Sequence, residues 1–220
     1  MTPRLAPPWL VFDLPAPHRV LSWSLNRPGF VTASRFAWRE VRNADLPRDL
    51  DAAAWFRAEL AGAGHSEAVG FLTSRALTHH VTARARVEEA AATCVATVGL
   101  SNAERVGARR AVTVPVGTIN IAVALTVPLS DAALLEALSI AAEARTAAVI
   151  AHGPDLATGR ATGTGTDCIA VAAPSGDMSA GATAHAGLHT AVGEALGRAV
   201  LDAVTRGTQD WMDEQGERHG

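Results

Sequence analysis

The sequence predicts a single α+β domain with helices packed on a mixed, largely antiparallel β-sheet. Three observations support this class. Short apolar or alternating runs, separated by turns that contain Pro or Gly, fill the first two thirds of the chain and are typical of strands. The last third has two long Ala-rich stretches with helical character, separated by a Gly-rich loop and one short apolar run. With 220 residues, 48% of them hydrophobic, the chain is long enough to bury one full core.

Eight runs are predicted as strands because they alternate between apolar and polar residues or are rich in β-branched residues. They cover residues 9–14, 19–25, 30–41, 68–73, 80–87, 91–100, 117–127 and 168–173. Turns are predicted at residues 15–17, 26–29 and 176–181, where Pro and Gly concentrate. The uncharged stretch 111–130 is long enough to cross a bilayer, but Pro115 and Pro128 favour a buried strand there.

Three helices are predicted from their capping residues and stop signals. Asp49 or Asp51 can cap a first helix that ends near residue 60. Ser130 or Asp131 can cap a second that runs to about residue 151, before Gly and Pro. The last helix is predicted over 188–205. Residues 1–18 then form an N-terminal extension or first strand, 19–208 the main domain, and 209–220 a charged C-terminal tail that is expected to fray.

Composition excludes several classes of function. The net charge of −3 argues against nucleic acid as the main partner, since phosphate binding requires a basic surface. The 19 basic residues are all Arg, so Schiff-base, P-loop and pyridoxal phosphate lysines are excluded. Cys94 and Cys168 lie far apart, which fits neither a zinc knuckle nor a disulfide framework and favours a reducing cytoplasm. No apolar run of a signal peptide opens the chain, and no membrane segment or bound metal is expected.

The loop 159–166 leads directly into Asp167 and Cys168. Its helix–loop–strand order is the reverse of a phosphate-binding loop, so it is either a flexible connection or a source of backbone N–H donors for an oxyanion. Asp167 is either a turn carboxylate or a group that acts as, or orients, a general base. Cys168 precedes an apolar run and is either a small core residue or a nucleophile that needs a nearby base.

His189 is predicted in the first turn of the last helix, where the positive end of the helix dipole favours a neutral ring that can accept a proton. Thr190 is beside it. Glu194 follows one turn later and is either part of this site or a surface partner of Arg198 at i, i+4.

Polar residues in apolar surroundings complete the candidate set. Glu143 and Thr146 share a face of the Ala-rich second helix and are either its solvated stripe or buried functional groups. Asn102 and Asn120 sit next to or within apolar runs, and a buried Asn must be hydrogen-bonded to the protein or to a ligand.

Six segments, taken together and in order, resemble the adenosylcobinamide amidohydrolases of corrinoid salvage. They are Gly70-Phe-Leu-Thr-Ser74, Thr97-Val-Gly-Leu-Ser-Asn102, Gly117-Thr-Ile-Asn-Ile121, Glu143-Ala-Arg-Thr146, Gly163-Thr-Gly-Thr-Asp-Cys168 and His189-Thr-Ala-Val-Gly-Glu194. The resemblance covers roughly residues 20–204. One departure is visible, because Arg145 stands where the family is expected to have Lys.

The resemblance implies hydrolysis of the amide that joins aminopropanol to the corrin ring of adenosylcobinamide, with no protein-bound cofactor. Asp167, His189, Cys168 and Glu194 are then the candidate catalytic residues. The candidate substrate-binding residues are Ser101, Asn102, Asn120, Glu143, Thr146, Gly163, Thr164, Gly165, Thr166 and Thr190. The expected partner is the small corrinoid substrate, and a homo-oligomer is compatible with the sequence. The alternative is a corrinoid-binding or carrier protein without catalysis, which needs the pocket but not an acid, a base and an oxyanion site.

Overall fold

A computed structural model describes residues 1–47, 49–108, 117–175 and 182–219 of the chain. These residues form three α-helices and twelve strands. The helices are α1 (Ala52–Gly62), α2 (Asp131–His152) and α3 (Ala191–His219). The strands are β1 (Arg4–Ala6), β2 (Trp9–Ser22), β3 (Gly29–Glu40), β4 (Val69–Thr73), β5 (Val81–Val87), β6 (Ala90–Val98), β7 (Ala103–Glu104), β8 (Ile119–Leu125), β9 (Asp155–Leu156), β10 (Gly159–Arg160), β11 (Gly163–Thr164) and β12 (Cys168–Pro174).

One large sheet organises the molecule. Its strand order is β4-β3-β2-β12-β8-β6-β5, and β1 pairs with the beginning of β2. The β3–β4 and β12–β8 pairs are parallel, while the other neighbours in this sheet are antiparallel. The predicted α+β class with a mixed, largely antiparallel sheet is therefore confirmed. Short β-ladders join β9 to β10 and β7 to β11 beside it.

The sheet folds back on itself. β2 is one long strand whose register against β3 shifts between Asp13 and His18, so the turn predicted at residues 15–17 is an irregularity within a strand. Prolines break the ladder there because they lack an N–H donor. Three strands separate β4 from β8 in the sheet, yet the Asn120 side-chain amide donates to the Leu72 carbonyl at 2.7 Å. The two halves of the sheet therefore face each other.

Two large apolar cores result from this arrangement, and a smaller cluster packs Phe56 and Leu60 of α1 against Ala37 and Ala68. Between the two halves of the sheet, aromatic residues such as Phe36, Trp38 and Phe71 pack with small residues such as Ala122 and Ala170. On the other face, α2 and α3 cover β6, β8 and β12. Many of the residues packed between these layers are Ala, which lets the helices approach the sheet closely. The predicted caps are confirmed for two helices, since Asp51 accepts from the Ala54 amide at 2.9 Å and Ser130 from the Ala133 amide at 3.0 Å.

The last helix differs most from its prediction. It begins at Ala191 and continues to His219, so the predicted end at residue 205 is wrong and residues 209–219 of the predicted tail are helical. Tertiary contacts explain the extension, because Trp211 packs against the core and Arg75 donates to the Glu214 carboxylate at 2.6 Å. The predicted turn 176–181 and residues 111–116 of the long uncharged stretch lie outside the described residues. No helix in the described ranges has the length and apolarity to cross a membrane.

Candidate active site

A cavity of about 720 Å³ opens where the two halves of the sheet part. The segment that leads into β8, together with Asn120, lines its walls with the loop before β12 and the strand β4 with the residue after it. Apolar side chains from the segments after β2 and β3 complete it, namely Trp23, Leu25, Val41 and Leu46. This size is typical of pockets that bind small molecules. Five of the residues predicted as site residues line the cavity: Asn120, Gly165, Thr166, Asp167 and Cys168.

Asp167 is the best-anchored group at this cavity. Its side chain is only 7% exposed and forms an ion pair with Arg145, which is 16% exposed. The carboxylate also accepts hydrogen bonds from the Ile119 amide at 3.2 Å, from the Thr164 amide at 3.1 Å and from the Thr164 hydroxyl. Burial lowers the pKa of Arg145 because it disfavours the charged guanidinium. The pair therefore joins α2, β8 and the loop before β12 at one point.

The glycines of this region leave space for that ion pair. A Cβ on Gly163 would lie 2.6 Å from Asp167 Oδ2 and would also overlap the Arg145 guanidinium. A Cβ on Gly117 would lie 2.8 Å from Asn102 Oδ1 and 3.0 Å from the Gly99 carbonyl. Side chains at these two positions would displace the groups that form the site, so glycine is required there for close approach.

A polar network supports the cavity wall. The Thr166 hydroxyl donates to the Gly117 carbonyl at 2.7 Å and accepts from Asn102 Nδ2 at 3.2 Å. The Thr118 hydroxyl donates to the Thr166 carbonyl at 2.8 Å. Asn120 spans to β4, as described above, and is 2% exposed. Within the described residues, the buried Oδ1 of Asn102 has no hydrogen-bond partner. Through these hydrogen bonds, Asn102 and Asn120 hold the strand ends next to the loop before β12 in position.

Two backbone N–H groups of the loop before β12 already donate hydrogen bonds to acceptors within the protein. The Thr164 N–H points to the Asp167 carboxylate, and the Gly165 N–H points to the Asn102 carbonyl at 3.4 Å. Gly163 and Thr164 form β11, which pairs with β7. The predicted oxyanion donors of this loop therefore include two amides that already have protein acceptors.

Cys168 lies at the base of the cavity, at the first position of β12. Burial raises the pKa of its thiol to about 12, because the thiolate would lose its hydration there. The thiol is protonated at neutral pH, which fits the interpretation of a small, partly buried apolar residue.

The structure does not bring the predicted His189 and Glu194 into the cavity. The chain before α3 is fixed near the start of α2, where the Ser130 amide donates to the Thr183 carbonyl and the Ala186 amide donates to Glu136. That region follows the far end of β8, whose seven residues span about 20 Å. His189 is exposed and precedes the helix instead of lying in its first turn.

Thr190 and Glu194 have local partners at that end of the sheet. The Thr190 hydroxyl accepts from the Gly193 amide at 2.9 Å and so caps α3. Glu194 forms an exposed pair with Arg198 at 3.1 Å. The surface interpretation of Glu194 therefore matches the observed pairing.

Six further predicted residues do not line the cavity. Asn102, Gly163 and Thr164 contact the residues that form its wall, as described above. Glu143 is exposed on α2, Thr146 is half-buried on the same helix, and Ser101 is exposed beside Asn102. Arg145, between Glu143 and Thr146, is the residue of this motif that reaches the site. From the sequence, Arg145 was noted only as a departure from the expected Lys. Trp23, Leu25 and Arg42, which line the cavity, were not predicted as site residues. The alternation Ser22-Trp23-Ser24-Leu25 is the signal that would have found two of them.

The fold and site define an α+β domain with a ligand-sized cavity built around a buried Asp–Arg pair. The model of the adenosylcobinamide amidohydrolase family, CbiZ, matches residues 2–216, so the chain belongs to this family of amide hydrolases. No curated protein sequence matches the chain.

The solved structures that are similar to the chain include these two. One is a beta-aminopeptidase from Burkholderia sp., with 14% identity and a TM-score of 0.44 over 93% of this chain and 78% of that one. The other is the PH0078 protein from Pyrococcus horikoshii OT3, with 10% identity and a TM-score of 0.45 over 90% of this chain and 76% of that one.

Proposed function

We propose that this protein hydrolyses the amide that links 1-amino-2-propanol to the corrin ring of adenosylcobinamide. One water is consumed, the amide C–N bond breaks and a C–O bond forms. The products are adenosylcobyric acid and 1-amino-2-propanol, whose nitrogen takes a proton from the water. Adenosylcobyric acid would then re-enter cobalamin assembly. The proposed setting is the cytoplasm, where the free thiols of Cys94 and Cys168 stay reduced.

The observation that carries this proposal is the Asp167 carboxylate, held by Arg145 and Thr164 at the wall of a cavity. Amide hydrolysis requires a positioned water, stabilisation of the tetrahedral oxyanion and a proton for the leaving amine. A carboxylate in a fixed orientation can orient the water and accept its proton. The Arg145 guanidinium and the Thr164 amide hold that carboxylate in place.

The remaining polar groups at the cavity suit the amide-rich periphery of a corrinoid. The Thr118 and Thr166 hydroxyls and the Asn120 amide lie at the cavity wall, next to the backbone of Gly117 and Gly165. The two hydroxyl protons already go to backbone carbonyls, so toward a substrate the Thr118 and Thr166 oxygens act as acceptors for the N–H groups of primary amides. We assign these residues to substrate binding. Cys168 is the rival nucleophile, and its raised pKa argues against that role.

The test is incubation of the purified protein with adenosylcobinamide, with and without a chelator, followed by mass spectrometry of the corrinoid. We expect conversion to adenosylcobyric acid in both conditions. Asp167→Asn should lower turnover by about 100-fold or more, the range for a general base. Asp131→Asn is the matched control, because Asp131 also pairs with an arginine, Arg19 at 3.0 Å, but at the far end of the sheet.

The same assay decides between the enzyme and the carrier. Unchanged adenosylcobinamide together with tight binding, seen in the visible spectrum of the corrinoid, would favour a non-catalytic corrinoid-binding protein. Absence of both turnover and binding would refute the proposed substrate. Equal activity of the Asp167→Asn and Asp131→Asn variants would refute the role of Asp167 while leaving the reaction in place.

A further inference from the structure

We infer that Trp23 is a specificity-determining substrate-binding residue, whose indole packs against a flat conjugated ring of the substrate. This inference rests on the proposed function and names the chemical feature of the substrate that binds there, a conjugated ring. It concerns the apolar wall of the cavity, whereas Asp167 and its partners form the polar wall.

Trp23 and Leu25 are unusually exposed for large apolar side chains. Trp23 is 46% exposed and Leu25 is 47% exposed, and both line the cavity. The alternating residues Ser22 and Ser24 are buried, at 4% and 1%. The chain after β2 therefore turns its two small polar side chains inward and its two large apolar side chains toward the cavity. A protein gains no stability from this exposed apolar area, but a ligand that covers it does gain binding energy.

Hydrogen bonds tie the segment that carries Trp23 to its neighbours. The Ser24 hydroxyl accepts from the Arg27 amide at 3.3 Å, which closes the turn between β2 and β3. Asn26 ties this turn to β4, because its Nδ2 donates to the Ala68 carbonyl and its Oδ1 accepts from the Gly70 amide, each at 2.9 Å. Binding therefore requires little ordering of this wall, which favours affinity.

The orientation of the indole is also fixed. Trp23 Nε1 donates to the Asp167 carbonyl at 2.6 Å. The only polar group of the ring is thus satisfied by the protein, so the rest of the ring is left for an apolar or π-type interaction. This hydrogen bond also places the ring next to the residue whose carboxylate is proposed to act on the amide. A substrate ring that packs on Trp23 is therefore held at a defined distance from Asp167.

A purely structural role for Trp23 is the competing explanation. In that case the indole N–H would only hold the loop before β12 in place, and the face of the ring would contact no substrate. Trp23→Phe and Trp23→Leu separate the two roles. Phe keeps a flat aromatic ring and removes the N–H, whereas Leu removes both.

The experiment measures kcat and KM for adenosylcobinamide hydrolysis, and Kd from the visible spectrum, for the wild type and both variants. Leu135→Ala is the control for truncation of an exposed apolar side chain, since Leu135 is 54% exposed on α2 near the far end of the sheet. We expect Trp23→Leu to raise KM and Kd by about tenfold or more, because the substrate ring no longer has an aromatic face to pack against. Trp23→Phe should raise them less, and kcat should change little in either variant.

A second ligand identifies the ring. Dicyanocobinamide has the corrin macrocycle but no adenosyl group. An equal decrease in affinity for both ligands in Trp23→Leu assigns the packing to the macrocycle, and a decrease confined to adenosylcobinamide assigns it to the adenine base.

Other outcomes would overturn the inference. If both variants lower kcat equally and leave KM and Kd unchanged, Trp23 positions the loop and does not bind the ring. If Trp23→Leu behaves like Leu135→Ala while the wild type remains active, the inference fails and the proposed function stands. A wild type that binds but does not hydrolyse refutes the proposed reaction, and the Kd values still test Trp23. If the wild type neither binds nor hydrolyses adenosylcobinamide, the proposed reaction and the role of Trp23 are both refuted.

Discussion

The buried pair of Arg145 and Asp167 allows a quantitative prediction. Arg145→Met removes the cation and leaves the carboxylate in a site where it is 7% exposed. Removal of one partner from a buried ion pair destabilises a protein by about 3–5 kcal/mol. Asp167 keeps the donors from Ile119 and Thr164, so we expect the lower end, about 3 kcal/mol.

Asp167→Asn should also destabilise by about 3 kcal/mol, because it leaves the Arg145 guanidinium buried without its carboxylate. The double variant Arg145→Met/Asp167→Asn removes both charges. It should therefore be destabilised by less than the sum of the single variants, with a coupling energy of about 2 kcal/mol. Arg145→Lys keeps the charge and should be destabilised less than Arg145→Met.

The assay is urea unfolding at pH 7, followed by circular dichroism, for the wild type and the four variants. Activity on adenosylcobinamide is measured in parallel, and Arg145→Met should lose turnover because Asp167 is no longer held in place. Single-variant effects that add to within about 0.5 kcal/mol would refute the reasoning, since they would show that the two side chains are not coupled.

Three more predictions follow from single positions. Gly163→Ala should lower the free energy of unfolding by about 2–3 kcal/mol and reduce turnover, because the added Cβ overlaps the ion pair. Gly216→Ala, at an exposed position of α3, is the control and should be neutral or slightly stabilising in the same urea titration. His189→Ala should retain near-normal kcat in the corrinoid assay, because His189 is exposed and does not line the cavity, and a large decrease would place it in the site. Burial raises the pKa of Cys168 from 9.0 to about 12, so the contribution of its protonated thiol to stability is complete below pH 9 and is lost between pH 9 and 12. The unfolding free energy of the wild type should therefore fall from pH 8 to 10.5, and Cys168→Ala should reduce this fall by up to about 1.4 kcal/mol per pH unit. An unchanged slope in the variant would contradict the pKa shift.

Local signals in the sequence predicted the elements well where each element depends on its own residues. Ser130 and Asp51 were predicted as possible helix caps, and both accept the expected backbone hydrogen bonds. The predicted end of α3 was wrong because interactions of Trp211 and Glu214 with distant parts of the chain, not local propensity, keep the last turns helical. The single bent strand β2 was missed because two prolines indicate a turn equally well.

The candidate site shows the same division between what local sequence predicts and what only tertiary contacts decide. The sequence by itself determined the fold class and the family, and it predicted the segment 163–168 as part of the candidate site, because glycines, hydroxyls and a carboxylate at fixed spacing form a pattern that is visible without the structure. Only the tertiary structure decided which motifs share that site. Arg145 reaches Asp167, and Trp23 reaches its carbonyl, whereas His189 lies beyond the far end of β8. The physical reason is that a sheet folded on itself brings together residues more than a hundred positions apart, and its register and curvature depend on all its strands at once.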